Sequence, residues 1–173
     1  MIGVGIIGFG TVGTGTYRIL TESHSLIQQR TGIDIKVIKI ADIDLERDRG
    51  IKPKRGMLIR DALAVIEDPH VDIIVELMGG IKPALDYIST ALKKKKWVVT
   101  ANKYLLAEKA DEIFSLARKN GCEIGFEASV CGGIPVIRAI REGLVGNKIS
   151  YILGILNGTS NYILTRMTEE GIS

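Results

Sequence analysis

Ile2-Gly3-Val4-Gly5-Ile6-Ile7-Gly8-Phe9-Gly10-Thr11-Val12-Gly13 stands at the start of the chain and carries its strongest structural signal. The short apolar run predicts a buried parallel strand that breaks at Gly8. Gly8-x-Gly10-x-x-Gly13 follows directly and opens a helix with Val12, Thr16, Ile19 and Leu20 on one face. Each glycine has a task in such a strand–turn–helix. Gly8 makes the tight turn, Gly10 lets a pyrophosphate approach the backbone, and Gly13 lets the helix pack close to the strand. The free N–H groups and positive dipole end of the helix then face the phosphates. A glycine pattern alone is equally a plain strand-to-helix turn; its position directly after a strand favours a dinucleotide.

Outward from this stretch, residues 28–32 read as a loop, and Ile35-Lys36-Val37-Ile38-Lys39-Ile40-Ala41-Asp42 as a second strand ending on an acid. A carboxylate at that point accepts from the ribose 2′-hydroxyl. Asp42 stands 29 positions beyond Gly13, later than the usual ~20, and the loop at 28–32 accounts for the excess. The alternative is that Asp42 merely starts a turn with Asp44. Arg47, Arg49, Lys52, Lys54 and Arg55 follow, and one of them would suit a 2′-phosphate. Asp42 would repel that phosphate, so NAD is favoured over NADP.

Residues 61–66 predict a short helix and 71–78 a strand that stops at Gly79-Gly80. Pro83 opens a helix with Ala84, Ile88, Ala91 and Leu92 on its inner face. A strand at 97–100 leads to a helix burying Leu106, Ala110, Ile113, Phe114 and Ala117, with Gly121 past its end. Residues 122–126 make a fifth strand. Strand and helix in alternation predict an α/β fold, a Rossmann-type doubly wound parallel sheet covered on both faces, over residues 1–131. From Glu127 the sequence becomes irregular and glycine-rich. A helix from Pro135 to Leu144, a strand from Ile149 to Leu156 and a helix capped by Asn157 that carries Ile163 and Met167 are expected. Residues 132–173 thus read as the beginning of a second, α+β domain for substrate or dimerisation, entered and not finished. The apolar faces of that strand and helix predict a homodimer or higher oligomer.

Composition narrows the function classes. A net charge of +3 is too small to argue for nucleic acid. The one basic block, Lys93 to Lys96, closes a helix, where it complements the negative dipole end in water. No apolar stretch reaches the ~18 residues of a membrane span, and Met1 leads straight into a strand without a signal peptide. Cys122 and Cys131 make no disulfide framework, which fits a reducing, cytoplasmic setting.

Ligands of open α/β sheets bind beyond the carboxyl ends of the strands. Four segments share that edge: 8–13, 78–80 with Gly79 in the turn, 100–103 and 127–134. Lys103 follows a buried strand where the nicotinamide end of a cofactor arrives. Partial burial would lower its pKa and suit it to give or take a proton at a carbonyl or alcohol. The alternative is a solvated lysine in the first turn of a helix. Glu127 and the glycine loop after it suggest a hard cation held by a carboxylate and backbone carbonyls, or else a structural glutamate accepting from loop N–H groups. Cys131 as a nucleophile would need a histidine base, and His24 and His70 fall near the other edge.

Taken together, Gly8 to Gly13, Val75 to Gly80, Val99 to Lys103, Glu127 to Pro135 and Gly154 to Tyr162 closely resemble homoserine dehydrogenases. The last two stretches are specific to that family rather than to dinucleotide folds in general. The resemblance implies interconversion of L-homoserine and L-aspartate 4-semialdehyde with NAD or NADP, on the route to threonine, methionine and isoleucine. It implies cofactor contacts from Phe9, Thr11, Val12, Thr100 and Lys103, with Lys103 also reaching the reacting end of the substrate. It also implies a sodium site at Glu127 and the carbonyls of Val130, Gly132 and Ile134, and Thr159 lining the substrate pocket. Family members that use NADP commonly carry an arginine where Ala41-Asp42 stands here. Their acidic substrate-binding segment and second catalytic lysine lie beyond Ser173, so this chain is expected to be the first part of a longer enzyme that alone binds cofactor without turnover. Two readings stand beside it: a related two-domain oxidoreductase acting on a sugar or another semialdehyde, and a dinucleotide-binding module without catalysis.

Overall fold

The computed structural model describes residues 1–155 and 157–172. They form two compact units, Met1–Gly132 and Gly133–Ser173.

The first unit is built on six strands, β1 (Ile2–Ile7), β2 (Ile35–Ala41), β3 (Leu58–Ile59), β4 (Ile73–Glu76), β5 (Trp97–Thr100) and β6 (Ile124–Gly125). All neighbours are parallel, in the order β3-β2-β1-β4-β5-β6. The strand order reverses between β1 and β4, as in a doubly wound dinucleotide fold. Helices α1 (Thr11–Glu22), α2 (His24–Thr31), α3 (Ala62–Ile66), α4 (Ala84–Lys93) and α5 (Lys103–Asn120) connect the strands. Alternation along β1 divides the core. Val4 and Ile6 pack with Phe9, Tyr17, Val37 and Ile40 on one face, while Ile7 joins Val65, Ile74, Ile88, Leu92 and Ile113 on the other. Glycines on β1 leave room for the chain behind it: a Cβ at Gly3 would stand 1.7 Å from the carbonyl oxygen of His70.

Several expectations change here. The segment at 28–32 is not a loop but the end of α2, a polar helix without a buried residue that Gly32 closes in the left-handed conformation at φ 72°. The inner face of α1 is Gly13, Tyr17 and Leu20, not Val12, Thr16, Ile19 and Leu20; Val12 and Ile19 are more than half exposed. Contact at Gly13 sets this rotation, since a Cβ there would come within 2.1 Å of the Gly8 carbonyl oxygen. Along α5 it is Leu105, Ile113 and Ala117 that are buried, and the helix breaks its geometry at Lys109 (φ −133°, ψ 15°). A kink between Leu105 and Ile113 lets residues off the ideal stripe share one face. Strand β3 carries no signal in the sequence beyond two aliphatic residues and pairs only with β2. The lysine run is not wholly solvated. Lys96 is buried and its ammonium donates to the carbonyls of Asp68, at 2.8 Å, and Val71. Burial lowers its pKa from the ordinary lysine value.

In the second unit, helix α6 (Val136–Arg138) runs into a π-helical turn at Ala139–Gly143, and helix α7 occupies Gly158–Glu170. Asn157 caps α7 by accepting from the Ser160 N–H at 2.9 Å. The strand expected over 149–156 is absent across 149–155, and Leu156 lies outside the described residues. No described neighbour pairs with this backbone, and a strand without a partner gains no ladder. Among the described residues none in this unit is buried, and no helix of either unit is long and apolar enough to cross a membrane.

Candidate cofactor site at the carboxyl edge of the sheet

Beyond the carboxyl ends of β1, β2 and β4 lies a cleft of about 420 Å³ bordered by Gly8, Gly10, Asp42, Arg49, Met78 and Tyr87. The turn from β1 into α1 is shaped as its glycines require. Gly8 adopts φ 97° and its Cβ would stand 2.7 Å from the carbonyl oxygen of Leu77. Gly10, the N-cap of α1, has nothing within 4 Å of where a Cβ would be. Its surface is therefore open to a ligand, next to the unpaired N–H groups of the first helical turn. Thr11 and Val12 are exposed in that turn. Phe9 points the other way. Its ring is fully buried, edge-on to Tyr17 at 5.7 Å between centroids, so only its peptide faces the turn.

Asp42 is brought to this turn. One carboxylate oxygen accepts from the Phe9 N–H at 2.5 Å, and the other accepts from the Asp44 N–H at 2.8 Å and from Arg49 at 3.2 Å. The turn from Asp42 to Asp44 is thus formed. Arg49 is the residue that sequence reasoning left among five candidates. Its side chain is only 5% exposed, lies over the Phe9 ring at 5.3 Å, and donates to the carbonyls of Phe9, Arg47 and Asp44. It ties the loop after β2 to the glycine turn and neutralises Asp42. The repulsion of a 2′-phosphate expected from Asp42 is weakened accordingly.

The other half of the edge rests on a buried polar network. Glu76, at the end of β4, is fully buried; its two oxygens accept from the Met78 N–H at 2.8 Å and the Thr100 hydroxyl at 2.6 Å. The Thr100 hydroxyl in turn accepts from the Asn102 N–H at 3.0 Å, and the Asn102 side chain donates to the Gly80 carbonyl at 2.7 Å. Asn102 also caps α5 by accepting from the Leu105 N–H at 3.1 Å. The Ser129 hydroxyl donates to the Thr100 carbonyl at 2.7 Å, which joins the 3₁₀ turn Glu127–Ser129 to β5. Thr100 is therefore buried with its hydroxyl committed to protein partners. Gly79 and Gly80 are exposed in left-handed conformations, φ 90° and 73°. Lys103 is the first residue of α5 and is exposed, so the partial burial expected of it is not present.

Glu127 opens the 3₁₀ turn, Val130 ends it, and Cys131 and Gly132 are consecutive left-handed residues, φ 55° and 59°. Cys131 is exposed. Ile134 and Thr159 fall in the second unit, both exposed, Thr159 in the first turn of α7. Glu76 carried a signal that went unused: one acid interrupts the apolar run from Ile73 to Met78, and an acid inside a buried strand must find donors.

Comparison with known proteins identifies the family. Residues 8–127 match the family model described as homoserine dehydrogenase, NAD binding domain, and residues 135–173 match that described as homoserine dehydrogenase. The homoserine dehydrogenase of Bacillus subtilis is 41% identical over 98% of this chain and 39% of its own length. That of Pseudomonas aeruginosa is 45% identical over 97% of this chain and 38% of its own. Among solved structures, a homoserine dehydrogenase from Thiobacillus denitrificans superposes with a TM-score of 0.89 at 43% identity, over 98% of this chain and 39% of that one. A hyperthermophilic archaeal homoserine dehydrogenase in complex with NADPH gives 0.80 at 28% identity, over 97% of this chain and 56% of that one. The chain spans about two fifths of the length of the curated relatives it matches, 39% in the first case. With the glycine turn, the strand order and matches along nearly its whole length, the chain belongs to the homoserine dehydrogenase family.

Proposed function

We propose that this chain supplies the NAD(P)-binding region, and the start of the substrate region, of an enzyme interconverting L-homoserine and L-aspartate 4-semialdehyde. The observation that carries the reading is the open surface over Gly10, at a helix N-terminus and beside the switch between β1 and β4. A pyrophosphate fits there because nothing occupies the space a side chain would take. A bound nicotinamide supplies hydride transfer. Around it, Gly8, Gly10 and Gly13 shape the phosphate turn, Thr11 and Val12 line it, and Asp42 accepts from the adenosine ribose. Phe9 contributes its peptide, while Gly79 and Thr100 shape the nicotinamide end. Lys103 holds or takes the proton at the substrate oxygen as the carbonyl forms; such assistance is typically worth ~10²–10⁴-fold. Thr159 lines the substrate pocket. Glu127 and the carbonyls of Val130, Gly132 and Ile134 form a site for sodium or a similar monovalent cation, a reading supported by the left-handed pair at Cys131 and Gly132.

NAD binds more tightly than NADP in this reading, by a margin that the Arg49 pairing keeps small. Titration of the chain with NADH and NADPH, followed by nicotinamide emission, tests both points. Gly10→Val is expected to leave the fold intact and abolish binding of either cofactor, because the new side chain fills the pyrophosphate's space. Unchanged affinity in a folded variant would remove the turn from the site.

A further inference from the structure

We infer that Glu76 and Asn102 are positioning residues for the nicotinamide half of the cofactor, acting through the Gly79–Gly80 turn and the start of α5. The inference rests on the cofactor reading above. A dinucleotide laid across the switch point has its adenosine on the β2 side and its nicotinamide on the side of β4 and β5. On that second side, three segments would meet the nicotinamide: the turn after β4, the first turn of α5 with Lys103, and the 3₁₀ turn opened by Glu127. None has a hydrophobic core of its own, and the turn after β4 stands on two exposed glycines.

One chain of hydrogen bonds joins all three. The Glu76 carboxylate holds the Met78 N–H, which leads into the turn, and the Thr100 hydroxyl. Thr100 passes the connection to Asn102 through its hydroxyl and to Ser129 through its carbonyl. Asn102 returns to the turn by donating to Gly80. The side chains of Glu76, Thr100 and Asn102 are buried and that of Ser129 half-buried, Met78 and Gly80 are exposed residues held through their peptides, and both Glu76 oxygens are occupied. A carboxylate that is fully buried merely to fill strand space is costly. Placed here, it fixes the spacing between the glycine turn and Lys103, because each end of the network has one partner and one geometry. The Gly79–Gly80 backbone, free to take many conformations elsewhere, is restricted to one.

The adenosine side abuts this network only at Gly8, which packs against the Leu77–Met78 peptide, and among the described residues no side-chain hydrogen bond joins the two. Its determinants are Gly8 to Gly13, Asp42 and Arg49, held by their own bonds. The test therefore compares two ligands on the 173-residue chain: NADH, and ADP-ribose, which has the adenosine and pyrophosphate without the nicotinamide. Asn102→Asp keeps an acceptor to cap α5 but replaces the donor to Gly80 with a second acceptor. It is expected to weaken NADH about tenfold and change ADP-ribose by less than about twofold. Glu76→Gln keeps the volume and loses one of two acceptors, with the same split expected. Equal loss for both ligands, or no change for either, overturns the positioning role. If the unmutated chain binds ADP-ribose but gains nothing from the nicotinamide, the inference also fails while the adenosine site stands. If it binds neither ligand, the cofactor reading itself is wrong and the inference goes with it.

Discussion

The two units are made from similarly apolar sequence and come out differently. In Met1–Gly132 the side chains of Ile6, Ile40, Ile74, Ile88 and Leu92 are shut from water. In the second unit Leu153 is 85% exposed, Ile155 75%, and α7 shows Tyr162, Ile163 and Leu164 to solvent. Hydrophobic content does not separate them. The first unit has a sheet with two faces, each covered by helices that follow in sequence, so every apolar stripe finds a partner within its own length. The second has helices and a segment without regular secondary structure, with no described sheet to lie on. Burial is a property of what an element meets, and a segment can be rich in isoleucine without forming a core.

The sharpest way to break this contrast is at Gly13. Gly13→Ala drives a Cβ against the Gly8 carbonyl, where the backbone is fixed on both sides. It is expected to cost roughly 4 kcal/mol or to prevent folding of the first unit, read by urea denaturation followed by circular dichroism. A folded variant of near-normal stability would mean that α1 shifts freely on β1. The next effect is smaller and tests burial directly. Ile88→Ala, at a fully buried site on α4, is expected to cost about 2–5 kcal/mol, whereas Leu153→Ala stays within about 0.5 kcal/mol. Similar losses at both positions would show that the second unit has a core after all.

The smallest effect sharpens the electrostatics of the first unit. Lys39 pairs with Asp68 at 2.6 Å, and with the His70 N–H it holds the Asp68 carboxyl below the usual carboxylate range. A carboxyl depressed in the folded state adds stability above its unfolded pKa of about 3.9 and loses it as the pH falls through the folded value. Lys39→Met should therefore lower stability by no more than about 1 kcal/mol at pH 7, and the gap should close below about pH 4. A gap that persists in acid would assign the loss to packing of the lysine stem instead.

The parts of the fold that were legible in the sequence share one trait: their signal is local. The β1–Gly8–α1 turn, the inner face of α4 from Ala84 to Leu92 and the short helix α3 all follow from residues within a few positions of one another. What was not legible depends on distant partners. Strand β3 exists because Ile40 and Ala41 offer it an edge. Lys96 is buried because the carbonyls of Asp68 and Val71 lie where its ammonium ends. The site divides in the same way. Gly8, Gly10 and Asp42 announced themselves, but the pairing of Arg49 with Asp42 and the Glu76 network appear only once strands far apart in sequence lie side by side. The expected strand failed across 149–155 for the converse reason: its apolar run is real, and no described partner pairs with it.

That last segment has a consequence for the chain as a material. Residues 149–155, Ile-Ser-Tyr-Ile-Leu-Gly-Ile, carry no charge and no proline, and their backbone makes no described strand pairing. Short uncharged runs of high β-propensity with open backbone are the ones that stack with copies of themselves. These seven residues are then a route by which a solution of this polypeptide turns cloudy, and Leu153→Lys is expected to raise the concentration at which it does so.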